Sequence, residues 1–125
     1  MPAYPNVHEV LITLLTPIAP TVKTKRQGQP LPYNLVRRIG GAEDGVTDRP
    51  IVRVDNYAST DEQAERMKEA CRQRITESGC TLVDGVLIDT AREITGGQDT
   101  SMPDPSDHKQ TAVYQLSFRS LQPDR

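Results

Sequence analysis

Residues 111–119 read Thr-Ala-Val-Tyr-Gln-Leu-Ser-Phe-Arg, and their alternation decides the fold. Ala112, Tyr114, Leu116 and Phe118 fall on one side of an extended chain; Thr111, Val113, Gln115, Ser117 and Arg119 fall on the other. Successive side chains of a strand point to opposite faces, so this segment is a strand with one apolar face and one polar face. A sheet of that kind is most often antiparallel and needs a second layer to hide its apolar side.

The helices that supply the layer are legible on the N-terminal side. Val7, Val10, Leu11, Leu14 and Leu15 recur at helical spacing, with Asn6 as N-cap, Glu9 completing a capping box and Pro17 as the stop. A second helix starts after Ser59, with Glu62 three residues on, and carries the stripe Ala64, Met67, Ala70, Cys71 and Ile75. Gly79 is placed to supply a left-handed residue after it. The opposite face of this helix, from Glu65 to Gln73, mixes both signs of charge and reads as solvated.

Further strands are expected at Tyr33–Ile39, Ile51–Tyr57 and, after an Asp84-Gly85 turn, Val86–Ile94. In the first, Tyr33, Leu35 and Ile39 share a face and Val36 points the other way. Val22-Lys23-Thr24-Lys25-Arg26 suits a short edge strand, since lysines there discourage unwanted pairing. Loops are expected at about 17–32, 40–50 and 96–110, with a frayed tail at 121–125. The expected architecture is one α+β domain over residues 1–125, with a mostly antiparallel sheet and two helices packed on one face.

Composition narrows the function. Fifteen Lys and Arg stand against seventeen Asp and Glu, a net charge of −2, which speaks against a dedicated nucleic-acid binder. Aromatic residues are 4% of the chain and Trp is absent, so the core rests on aliphatic side chains and invites supplementation by another subunit. No apolar run is long enough to span a membrane, and no signal peptide is expected. Cys71 and Cys80 match no zinc or redox spacing and read as reduced thiols.

Chemistry is sparse. His8 and His108 lack an accompanying nucleophile motif, so no catalytic residue is assigned. Asp99, Asp104, Asp107 and His108 include good metal ligands, but without EF-hand or zinc spacing a solvated loop is expected, and no metal or other cofactor. Met102, Pro103, Asp104, Pro105, Asp107 and His108 instead suit a docking loop, because two prolines restrict the free ensemble and lower the entropy lost on binding. Lys23, Lys25, Arg26, Arg37 and Arg38 form the basic concentration, a candidate surface for DNA phosphates or an acidic neighbour. Arg37 and Arg38 point to opposite faces, so at most one serves a given sheet face.

Taken in order, several segments resemble the tail terminator proteins of long, non-contractile-tailed phages. They are the helix at Val7–Leu15, Leu-Pro-Tyr-Asn-Leu-Val-Arg-Arg-Ile-Gly-Gly at 31–41, Asp-Arg-Pro-Ile-Val-Arg-Val-Asp at 48–55, the helix from Thr60, the Ile88–Pro105 region with its Pro-Asp-Pro, and the strand at Val113–Arg119. The resemblance implies a virion protein of the tail neck, assembled in the host cytoplasm as a homo-hexameric ring. Such a ring caps the tail tube, stops its elongation and offers a docking surface to head-completion proteins. It implies three partners besides the chain itself: the tube protein on one side, a stopper or connector on the other, and DNA passing through the lumen without sequence-specific contact. No catalysis is implied.

Three other readings fit the same residues less well. A head–tail stopper or adaptor reads more often as a small β-barrel. A tail tube protein needs a long β-hairpin, and the expected loops at Gly40–Pro50 and Gly96–Gln110 lack sustained alternation. A small metal-dependent enzyme requires a carboxylate–histidine pocket.

Overall fold

A computed structural model describes residues 4–24, 28–83, 85–100 and 108–119; for residues 96–100 the backbone alone is described. The elements are α1 (Val7–Leu15), β1 (Thr21–Val22), β2 (Tyr33–Glu43), β3 (Thr47–Ala58), α2 (Asp61–Thr76), β4 (Thr81–Val83), β5 (Val86–Ile88), β6 (Thr90–Thr100) and β7 (His108–Arg119). Five strands make one sheet in the order β1-β2-β3-β7-β6, and β4 and β5 form a separate small hairpin. All pairings are antiparallel except β1 with β2. The expected α+β architecture is the observed one.

Both helices lie on one face of the sheet. Val10, Leu11, Leu14 and Leu15 of α1 and Cys71 and Ile75 of α2 share a core with Val36, Val52, Val54, Ala112, Tyr114, Leu116 and Phe118. Register explains this: Val36 opposes Val54, Val54 opposes Ala112, and Val52 opposes Tyr114, so one parity of each strand faces the helices. Ala112, Tyr114, Leu116 and Phe118 are all buried, as the alternation requires.

Beneath the helices runs a buried polar chain. Asn56 Nδ2 donates to Asn34 Oδ1 at 2.7 Å, and Asn34 Nδ2 donates to Thr21 Oγ1 at 3.2 Å. Each of these groups is buried, so the bonds offset a desolvation cost and pin β1, β2 and β3 in one register. Arg74 Nε donates to the Leu14 carbonyl at 2.6 Å, satisfying an orphan acceptor at the end of α1 and locking the two helices together.

The helix starts follow capping rules, with one correction. Asn6 Oδ1 accepts from the His8 and Glu9 amides, as expected. On α2 the cap is Thr60, not Ser59: Thr60 Oγ1 accepts from the Gln63 amide at 3.1 Å, and Gln63 Oε1 in turn accepts from the Ser59 amide. Gln63 therefore takes the place expected of Glu62, one residue later. Similarly, the left-handed residue after α2 is Cys80 (φ 64°), not Gly79.

The main departures are in the expected loops. Gly40–Pro50 is the end of a long β2–β3 hairpin, closed by a three-residue turn at 44–46. Asp44 makes that turn: its Oδ1 accepts from the Val46 and Thr47 amides, and Gly45 supplies φ +88°. A bulge at Ile39 and Gly41 at φ +95° hid the strand from pattern reading. A Cβ on Gly41 would sit 2.1 Å from the Arg49 carbonyl oxygen, so only glycine lets the arm close there.

Of the expected Gly96–Gln110 loop, residues 96–100 and 108–110 are strand, since β6 runs to Thr100 and β7 begins at His108, and residues 101–107 lie outside the described residues. Two register irregularities, between Glu93 and Thr95 and between Thr95 and Gln98, break the period-2 pattern in β6. The expected strand at Val86–Ile94 is two strands, interrupted at Asp89. The edge strand expected at Val22–Arg26 is Thr21–Val22; Lys25 and Arg26 lie outside the described residues, as does the tail at 121–125.

Candidate functional site

The face of the sheet away from the helices is built from the other parity of the same strands. Among the described residues no helix covers it. Tyr33 and Tyr57 stack at one end, with ring centroids 4.7 Å apart, and Leu35 packs beside them. Lys109 Nζ sits 5.7 Å from the Tyr57 centroid, within cation–π reach. Beyond this apolar end the face turns cationic.

Arg37 on β2 lies directly opposite Arg53 on β3. Like charges directly opposed across a strand pair are unfavourable, so this pairing demands a compensating anion. Asp55 Oδ2, 3.3 Å from Arg53 Nε, supplies part of it. Arg92 on β6 donates twice to Gln115 Oε1, at 3.1 and 2.7 Å, a neutral partner. Arg49 pairs with Asp44 at 3.0 Å and Arg119 with Asp89 at 3.1 Å. Together with Lys109, this face presents six cationic side chains beside three carboxylates, Asp44, Asp55 and Asp89, among the described residues. At the Arg119 end a cleft of about 510 Å³ opens between Arg49, Arg119, Asp89, Ser117 and Cys80.

The expected basic concentration is only partly brought together. Arg37 and Arg38 do point to opposite faces. Arg38 turns to the helix side and clasps Asp48 in two hydrogen bonds of 2.9 and 2.8 Å. Asp48 is buried, so this fork is a structural lock at the root of the arm and not a free cation. Lys23 is exposed after β1, close enough to His8 to help hold that imidazole below its ordinary range; burial is the larger cause and Arg38 the third. His8 Nε2 accepts from the Arg38 amide at 3.2 Å, which requires the neutral ring.

The two histidines serve different contacts. His108 Nδ1 lies 2.6 Å from Asp61 Oδ1, joining the start of β7 to the first turn of α2. Met102, Pro103, Asp104, Pro105 and Asp107, expected to form a docking loop, lie outside the described residues. Among the described residues no group of three His, Cys, Asp or Glu side chains is placed to hold a metal. The thiols are free and unlike: Cys80 is exposed, while burial pushes Cys71 up to about 11.

Arg49, Arg53, Arg92, Lys109 and Arg119 escaped the sequence reading because they are scattered along the chain. A signal existed for two of them: Arg53 alternates with Val52 and Val54, and Arg119 lies on the polar parity of the strand that fixes the fold. The remaining three needed the register.

The hairpin arm forms the second feature of the surface. The Asp44 carboxyl is held down to about 2, first by the Thr47 and Val46 amides and then by Arg49. Ile39 and Val46 on this arm, and Leu82 and Leu87 facing each other on the β4–β5 hairpin, are exposed large apolar side chains. Among the described residues no helix is long and apolar enough to cross a membrane.

Residues 3–122 match the family model of phage tail termination proteins, and the chain belongs to that family. No curated protein matches the chain. Membership assigns it a structural role in the phage tail and neck.

Proposed function

We propose that this chain ends tail growth by assembling as a ring, hexameric as the family resemblance implies, on the last ring of the tube. One ring face matches the tube; the other does not repeat it, so no further tube subunit adds. The exposed face then receives the head-completion protein, and DNA passes through the opening. The observation that carries this reading is the family match over residues 3–122. The unlike surfaces of the domain agree with it: a closed ring of identical subunits needs head-to-tail contacts between different patches.

The test is tail length by electron microscopy in lysates lacking this chain. Overlong, uneven tubes without heads are the expected result. Tails of normal length beside unjoined heads would transfer the chain to a stopper or adaptor role.

One observation favours a second reading. The β2–β3 hairpin, Tyr33–Ala58, is the long hairpin a tube subunit requires, so the argument from missing hairpins against a tube protein falls. That reading predicts no tubes at all in the same lysate.

A further inference from the structure

On the helix-free face, residues of one parity line up across the strands in levels about 6.6 Å apart, two residues of rise per level. The register with β3 fixes which cation stands at which level. Arg119 opposes Thr47; Arg49, two residues on, opposes Ala42; Gln115 opposes Ile51 and carries Arg92 beside it; Arg37 opposes Arg53. Four successive levels, from 47 to 53, therefore each hold an arginine, and Lys109 follows opposite Tyr57. At the level left out, Asp55 is buried and held by Arg53 and the Thr111 hydroxyl. Arg37, Arg49, Arg92 and Arg119 are exposed.

The charge of this face differs from that of the chain. Among the described residues it takes six of the fifteen cations and three of the seventeen carboxylates, so the net charge of −2 averages over unlike surfaces. Arg37 and Arg92 form no ion pair among the described residues. The Arg49–Asp44 and Arg119–Asp89 pairs have exposed arginines, where water already competes and a second anion is admitted at little cost. Thr47, Thr95 and Gln115 lie between the cations as neutral hydrogen-bonding groups.

The arginines spread over about 20 Å along the strands and, from Arg37 on β2 to Arg92 on β6, three strand spacings or about 14 Å across them. A polyanion with regularly spaced charge fits such a patch, and nucleic-acid phosphates supply it. The width selects two backbones over one, being comparable to the major groove of B-form DNA, about 12 Å. A-form RNA presents a narrow major groove instead. A single strand would call for aromatic platforms under its bases, but Tyr33 and Tyr57 are stacked on each other and buried. Reading base edges calls for an element that enters a groove, and among the described residues no helix lies on this face. Phosphate contact without sequence preference is what this chemistry allows.

We infer that the helix-free face binds the phosphate backbones of double-stranded DNA through Arg37, Arg49, Arg53, Arg92 and Arg119, without regard to sequence. The inference rests on the proposed ring only for the source of the duplex, which passes through its opening.

The test is fluorescence anisotropy of a labelled mixed-sequence duplex with the purified chain over a salt series. The wild type should bind at low salt and lose about a hundredfold in affinity between about 50 and 200 mM salt. Arg37→Gln with Arg92→Gln should weaken binding and lower the slope of log affinity against log salt by about two. Arg37→Lys with Arg92→Lys keeps the charge and should keep the slope, and Arg66→Gln with Lys68→Gln on the outer side of α2 should leave binding unchanged. Urea unfolding that matches the wild type shows that the variants fold. No binding of duplex at low salt, an unchanged slope in the glutamine variant, or equal weakening by the α2 variant would overturn the inference. Tighter binding of the single strand would overturn the choice of duplex, and equal competition by polyglutamate would overturn it in favour of an acidic protein. Tail length reports separately: normal tails in lysates lacking the chain would sink the terminator reading and leave the binding result as measured.

Discussion

On β7, Tyr114 is wholly buried, while Val113 and Gln115, one residue to either side, are only half-buried. The same strand backbone thus serves two surfaces with different rules. Toward the helices, apolar side chains from β2, β3 and β7 interlock with α1 and α2; Asn34 and Asn56 enter hydrogen-bonded, while the buried Tyr114 hydroxyl has no partner among the described residues. Away from them, arginines face one another with incomplete compensation. The first arrangement stabilises the fold; the second is tolerated by it. Packing is thus concentrated on one parity of the sheet and uncompensated charge on the other.

The sharpest way to break that division is to cut into each side. Phe118→Ala, on the helix side, should cost about 3–5 kcal/mol in urea unfolding, since the ring is fully buried. Arg37→Ala on the open side should change stability by no more than about 0.5 kcal/mol. Equal losses would mean that the open face also holds the fold together.

A smaller effect separates buried polarity from buried apolarity. Asn56→Ala removes the donor to Asn34 Oδ1 and leaves that oxygen buried and unpaired. The expected loss is about 1–3 kcal/mol, read by thermal or urea unfolding. No loss would show that the polar chain under α2 contributes nothing to holding β1–β3 in place.

Thr60→Ala should cost about 1 kcal/mol, because Thr60 caps α2 through the Gln63 amide, whereas Ser59→Ala should cost less. The reverse order would return the cap to Ser59.

How much of this was legible beforehand follows from periodicity. Val7–Leu15 and Thr111–Arg119 keep unbroken 3.6 and 2 periods, and both were placed correctly. β2 loses its period at the Ile39 bulge and β6 at two irregularities, so their outer halves read as loops. The candidate surface was harder. Arg37 and Arg53 become neighbours only through register, and Arg38, the more conspicuous residue beside Gly40-Gly41, is committed to Asp48. Adjacent basic residues in sequence diverge across a strand, while distant ones converge on a face.

The smallest expected effect is a pH dependence. Burial first, then Lys23 and Arg38, hold the His8 pKa below its ordinary value of 6.5. The unfolded chain therefore takes up a proton more readily than the folded one. Stability from this residue is complete above about pH 6.5 and declines as pH falls through the depressed folded value. His8→Gln should flatten that decline in unfolding curves taken between neutral and mildly acidic pH. An unchanged slope would place the titration elsewhere.

Termination of tail growth is put to the test by add-back. The purified chain is titrated into an extract in which tubes grow overlong for lack of it, and tube lengths are read by electron microscopy. A terminator halts growth on addition, is found at one tube end, and lets heads attach. Tubes that keep lengthening with the chain present in excess would contradict that role.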